Sequence, residues 1–203
     1  MKMSVPSFVT LVALLAATPG LGPESSGLAK ADAPTDASTP AFLPDGRLTY
    51  PRQYREWIFL SSGLDMSYTN APAMAGSSMF DNVFVNPEAY HEFLRTGTWP
   101  DHTLLVMESR GGSTKGSINK RGQFQTDDFM GVEVHVKDTR RFTGGWAFFA
   151  FGGTEPVQQL PAAAPCYSCH RDHGAVDTTF VQFYPTLLPI ARQKGTLAPG
   201  YKP

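Results

Sequence analysis

The chain has 203 residues, 17 basic against 18 acidic side chains and two cysteines. That even balance, with no long like-charge block, excludes an electrostatic footprint for nucleic acid. The length suits one processed domain of about 150–170 residues, large enough for a core that needs no disulfides.

At the N-terminus Lys2 precedes an apolar run from Phe8 to Ala17, too short to span a bilayer as a mature helix. Residues 1–31 read as a secretory signal, with cleavage near Ala17 or after Ala31, where Ala29-Lys30-Ala31 has the A-x-A form. An uncleaved anchor is the alternative. No cysteine lies near the cleavage region to accept a lipid. Residues 32–41, rich in Ala, Asp, Thr and Pro, read as a disordered lead-in, which leaves 42–203 as the folded domain.

Tyr54, Trp57 and Ile58 fall at i, i+3 and i+4 and predict a helix near Pro51 to Ser61. "MFDNVFVNP" alternates, with Phe80, Asn82 and Phe84 on one face and Asp81, Val83 and Val85 on the other, as a strand does. Asn86 as N-cap, Pro87 as first helical residue and Gly97 as stop then bound a short helix with Tyr90, Phe93 and Leu94 as its buried stripe. His102 to Ser109 predicts a second strand, and "RGGSTKGSINKRG" a loop or hairpin connection. In "FMGVEVHVKD", Met130, Val132, Val134 and Val136 alternate with Gly131, Glu133, His135 and Lys137, so His135 is expected on a solvated face. "GWAFFAFGG" is a continuous apolar run, as in a strand covered on both faces. Four strands with helices around them and no βαβ alternation predict an α+β fold with a mainly antiparallel sheet and short flanking helices. Near the C-terminus Phe180, Phe183, Tyr184, Leu187 and Leu188 form an apolar stripe interrupted by Pro185 and Pro189.

The two cysteines stand in "APCYSCHRDH", three positions apart, with His170 directly after the second. A zinc site would have to draw all four ligands, Cys166, Cys169, His170 and His173, from one short segment. A thioredoxin-like dithiol expects a βαβ context, and a plain disulfide leaves His170 without a role. C-x-x-C-H is the attachment pattern of c-type haem. There the thiols of Cys166 and Cys169 add to the two vinyl groups of the porphyrin, and His170 supplies an imidazole nitrogen to the iron. Export agrees with this, since c-type haem is attached outside the bacterial cytoplasm.

The motif lies behind several strand-like segments, unlike the arrangement of a small helical electron carrier. With "YPRQYREWIFL", "VFVNPEAYHEFLRTG", "GVEVHVKDTRRF", "GWAFFAF" and "CYSCHRDHGAVDTTFVQFYPTLLPIAR" in this order and spacing, the chain resembles the cytochrome P-460 family. The resemblance implies a dimeric, mainly β-sheet cytochrome of the periplasm with one covalent haem c and an open or weakly occupied distal iron position. The family comprises hydroxylamine-oxidising cytochromes P-460 and gas-binding cytochromes c′-β. In the former a lysine, just before an acidic residue in a strand, makes a further link to the porphyrin; its position here matches Met107, before Glu108. A thioether cannot supply that amine. Lys115 and Lys120 are the alternatives in sequence, within the Gly/Ser-rich connection.

The c′-β reading therefore leads: binding of NO or CO, or electron transfer with a redox partner protein, with hydroxylamine or NO oxidation as the alternative. It implies an aromatic distal pocket, for which Phe80, Phe84, Phe148, Phe149 and Phe151 are candidates. Met107 is either a wall of that pocket or an iron ligand. His91 and His135 are expected to stand apart from the iron, His173 is a distant second to His170 as ligand, and Arg171 and Lys137 are candidates to pair with haem propionates.

Overall fold

The site-bearing framework is a five-stranded antiparallel sheet in which each strand pairs with its neighbours in sequence: β1 (Ile58–Leu64), β2 (Ser78–Val85), β3 (Leu104–Ser113), β4 (Phe124–Lys137) and β5 (Trp146–Phe151). Three short helices complete it: α1 (Pro87–Thr96) between β2 and β3, then α2 (Pro165–His173) and α3 (Leu188–Lys194) after the sheet. The computed structural model describes residues 38–67, 78–116 and 118–201, all within one compact unit, Pro34–Pro203. The signal segment lies outside the described residues. Ser38 is buried and Thr49 N donates to Ala41 O, so ordered packing begins earlier than the expected boundary at residue 42.

The α+β architecture agrees with the sequence, but its first element does not. In place of a helix over Pro51–Ser61 there is a single 3₁₀ turn, Tyr54–Glu56, and then the extended β1. Ile58, Phe59 and Leu60 are β-branched or bulky, and pairing of Ile58 with Val85 and Phe59 with Phe84 gives them a sheet partner that outweighs a weak local helical period.

Strand alternation sends two sets of side chains to opposite faces. Toward one face go Val106, Val132, Val134, Phe149 and Phe151, which pack under Leu48, Tyr54, Trp57 and Phe142. Toward the other go Val83, Leu105 and Trp146, near α1, α3 and the C-terminal turns. In α1, Ala89 and Phe93 are buried, whereas Leu94 is exposed, contrary to the expected stripe. Asn86 does not cap the helix with its side chain; its Oδ1 accepts from Leu104 N at 2.8 Å and its Nδ2 donates to His102 O, so it ties the helix start to β3. Gly97 is left-handed (φ 77°), and a Cβ there would lie 2.7 Å from Lys194 Cβ. The α1 terminus thereby seats against the end of α3.

On the first face Glu108, 3% exposed, accepts hydrogen bonds from Tyr54 Oη, Arg55 Nε and Arg110 Nε. Burial alone would raise its pKa, but these three donors outweigh burial and hold it below the ordinary value of 4.5. A depressed folded pKa contributes stability that is fully present above pH 4.5 and is lost as pH falls through the folded value. Glu108→Gln should cost about 1.5–3 kcal/mol at neutral pH, the range for hydrogen bonds to charged groups. Its denaturant midpoint should also fall less than that of wild type as pH is lowered from about 5 to about 3. Equal acid sensitivity of the two proteins would refute this assignment.

Candidate haem site

α2 opens with Pro165 at a first-turn position, where its missing N–H is no loss, and closes with Gly174 N donating to His170 O at 2.9 Å. Cys166, Cys169 and His170 stand at i, i+3 and i+4, which puts both free, partly exposed thiols and the imidazole on one helical face. Burial, and after it the Glu133 charge, push the Cys166 thiol up, so it is held as a neutral S–H.

The His170 ring is oriented from behind. Its Nδ1 lies 2.8 Å from Thr178 O, an acceptor that fixes the proton on Nδ1 and leaves Nε2 with its lone pair. Phe180 and Phe148 flank the ring, with centroids at 4.1 and 4.7 Å. Burial lowers the His170 pKa, while the bond to Thr178 works against this. Gly174 allows that approach: a Cβ there would stand 2.6 Å from His170 O and 2.7 Å from the Thr178 carbonyl carbon.

The motif faces a cavity of about 400 Å³ between α2, the C-terminal turns and the second face of the sheet. This lies within the roughly 300–1,000 Å³ common for small-molecule and cofactor sites. Every strand contributes to its wall: Gly63, Val83, Met107, Glu133, His135 and Phe148 among others. The lining is largely apolar, with Asp81 and Glu133 as the carboxylates. Two thiols one turn apart, one oriented imidazole with a free Nε2 and an apolar cavity fit a covalent haem. Among the described residues no group of three or more His, Cys, Asp or Glu side chains could hold a bare metal ion.

Met107 lies in this wall, directly across from Glu133 in the β3–β4 ladder. Phe80 and Phe84 do not: they lie on the opposite face of β2, where Phe84 packs edge-on against Tyr54 and Phe59. Strand alternation turns Asp81 and Val83 to the cavity instead, which leaves these two expected distal residues outside its lining. By the same alternation Phe148 reaches the cavity while Phe149 and Phe151 join the other core. Lys115 and Lys120 are exposed on the β3–β4 connection, outside the lining.

His135 is the residue the sequence reading misplaced. It is 6% exposed, stacked on Phe148 at 3.9 Å and 11°, beside Trp146 at 4.2 Å. Burial, with His170 as a lesser cause, pushes its pKa well below the ordinary value, so it is neutral. Its ring meets His170 edge to face at 4.9 Å, which leaves no room for a metal with a bond to each. His91 and His173 are exposed, and Arg171 is paired with the adjacent Asp172. Lys137 is engaged with Asp177 and Trp99 O.

Beyond geometry, the cytochrome P460 family model matches residues 51–181, from the first turn before β1 through the cysteine motif. The chain belongs to the cytochrome P460 family. As a cytochrome P460 family protein it is a haem protein of the P460/c′-β type. No curated protein matches the sequence.

Proposed function

We propose that this cytochrome P460 family protein is an exported, periplasmic haem c protein that binds a small gaseous ligand such as NO or CO at iron. It would work as a homodimer with a redox partner protein. Cys166 and Cys169 hold the single haem through thioethers, and His170 Nε2 is the proximal ligand. When bound, the haem supplies an iron that exchanges one electron and accepts a small ligand. The observation that carries this reading is that His170, on the same helical face as both cysteines, has its Nδ1 held by Thr178 O, which leaves Nε2 as its free nitrogen. His135, in contact with the side of His170, is badly placed for the opposite iron position.

The residues do the rest. Thr178 O holds the Nδ1 proton of His170, and Val83, Leu105 and Phe148 give the cavity an apolar wall. The reduced protein should show a five-coordinate, high-spin absorption spectrum that changes on addition of NO or CO. A low-spin spectrum indifferent to both gases would replace this reading with a simple electron carrier, Met107 being the sixth ligand.

A second reading, oxidation of hydroxylamine, is favoured by one observation. Glu133 lines the cavity beside Met107, and desolvation, followed by the nearby Asp81 charge, raises its pKa. Its carboxyl could therefore hold a proton near a bound nitrogenous substrate. Against it stands Met107, which has no amine for the further porphyrin link. Tryptic digestion should yield one haem-peptide, containing Cys166 and Cys169 alone, and hydroxylamine with an artificial electron acceptor should give no turnover. A haem-peptide carrying Lys115 or Lys120 would reverse the order of the two readings.

A further inference from the structure

The turn that holds His170 carries strain. Thr179 N donates to Val176 O at 2.8 Å, and the two residues between them both have positive φ, 46° at Asp177 and 59° at Thr178. This is the φ pattern of a type I′ turn, in which Asp-Gly or Asn-Gly is the low-energy pair. A β-branched threonine in the second place is strained and persists only where its surroundings over-determine it. The Thr178 carbonyl is also the acceptor for His170 Nδ1.

The surroundings that hold the turn come from two distant parts of the chain. Lys137, in the last position of β4, pairs with the Asp177 carboxylate and donates to Trp99 O at 2.8 Å. Trp99 Nε1 donates to Thr179 Oγ1 at 2.8 Å, and the Thr179 hydroxyl donates to Val176 O at 2.6 Å. Trp99 and Thr179 are 2% and 0% exposed, so water does not compete for these bonds. The Lys137 ammonium thus spends two of its three donors inside the clamp.

We propose that Lys137 and Trp99 are positioning residues for the proximal ligand. By clamping the Val176–Thr179 turn they keep Thr178 O on the His170 Nδ1 proton, which fixes the ring rotation and makes the imidazole a more basic donor. The proposal rests on the haem reading above. It makes the pair a control on iron reactivity exerted through the backbone, from residues that are not in the cavity lining.

The sign of the effect separates this role from a mere charge effect. A more basic proximal ligand favours the oxidised iron, so losing the clamp should raise the midpoint potential. Removing a cation near the haem would lower it. The test uses holoprotein of wild type, Lys137→Met, Trp99→Phe and the double variant Lys137→Met/Thr178→Gly. Its readouts are haem content, midpoint potential and the iron–histidine stretching frequency of the reduced form. Both single variants should raise the potential and lower the frequency. Glycine, which adopts the turn without strain, should bring the double variant back toward wild type. If Lys137→Met fails to fold, Trp99→Phe, which changes no charge, carries the same expectation. A fall in potential for Lys137→Met, an unchanged frequency in both single variants, or no rescue by Thr178→Gly would overturn the proposal. Wild-type protein without haem would overturn the haem reading, and this with it.

Discussion

Replacing Cys166 and Cys169 together with serine should give protein whose intact mass is that of the polypeptide alone, while the wild type carries the added mass of one haem. The expected effect is complete because no other described residue offers a thiol: the chain has two cysteines. Each single variant should keep one thioether. The vinyl group left unreacted stays conjugated with the ring and moves the absorption bands to longer wavelength. The i, i+3 spacing on α2 and the protonated Cys166 thiol suit addition of S–H across a double bond, sulfur to one carbon and hydrogen to the other. A wild-type mass lower than the polypeptide by two hydrogens, with no haem, would mean that the pair is a disulfide instead.

This prediction was legible in the sequence because its residues are neighbours. The cysteines and His170 lie within five positions, so helical geometry alone joins them. The wall opposite was less legible. In β3, Leu105 and Met107 turn to the cavity while Leu104 and Val106 turn to the other core, and both sets are apolar. Period two separates such sets without saying which one meets the motif. The same limit applies to Phe80 and Phe84, which alternation puts on the other face of β2, where Phe84 packs against Tyr54 and Phe59.

His135 shows the limit in its sharpest form. Gly131, Glu133, His135 and Lys137 read as a solvated strand face, and locally nothing distinguishes a solvent face from the inner wall of a site. What covers His135 is Phe148 from the next strand and His170 from α2, far along the chain. The turn of Asp177 and Thr178 was equally silent, since neither residue signals positive φ as glycine does. A cue did exist in Gly174: its close approach to the Thr178 backbone is one that a side chain would block.

The adjacent phenylalanines of β5 should divide the two faces of the sheet by experiment. Phe149 is 1% exposed and packs against Phe42 and Phe142, with ring centroids at 6.1 Å in each case. Its replacement by alanine removes a buried aromatic from a core that can collapse only in part, and should cost about 3–5 kcal/mol. The absorption spectrum and gas binding of the folded variant should match wild type, because Phe149 is absent from the cavity lining. Phe148 is also nearly buried, yet its contacts are His135, Tyr167 and His170, and it lines the cavity. Phe148→Ala should therefore alter the spectrum and ligand-binding rates of the haem, since it removes a ring that packs against both histidines. Denaturant midpoints and gas-binding rates measured on the two variants decide the matter. A Phe149→Ala protein with an altered haem spectrum, beside a Phe148→Ala protein with an ordinary one, would mean that the haem lies on the other face of the sheet.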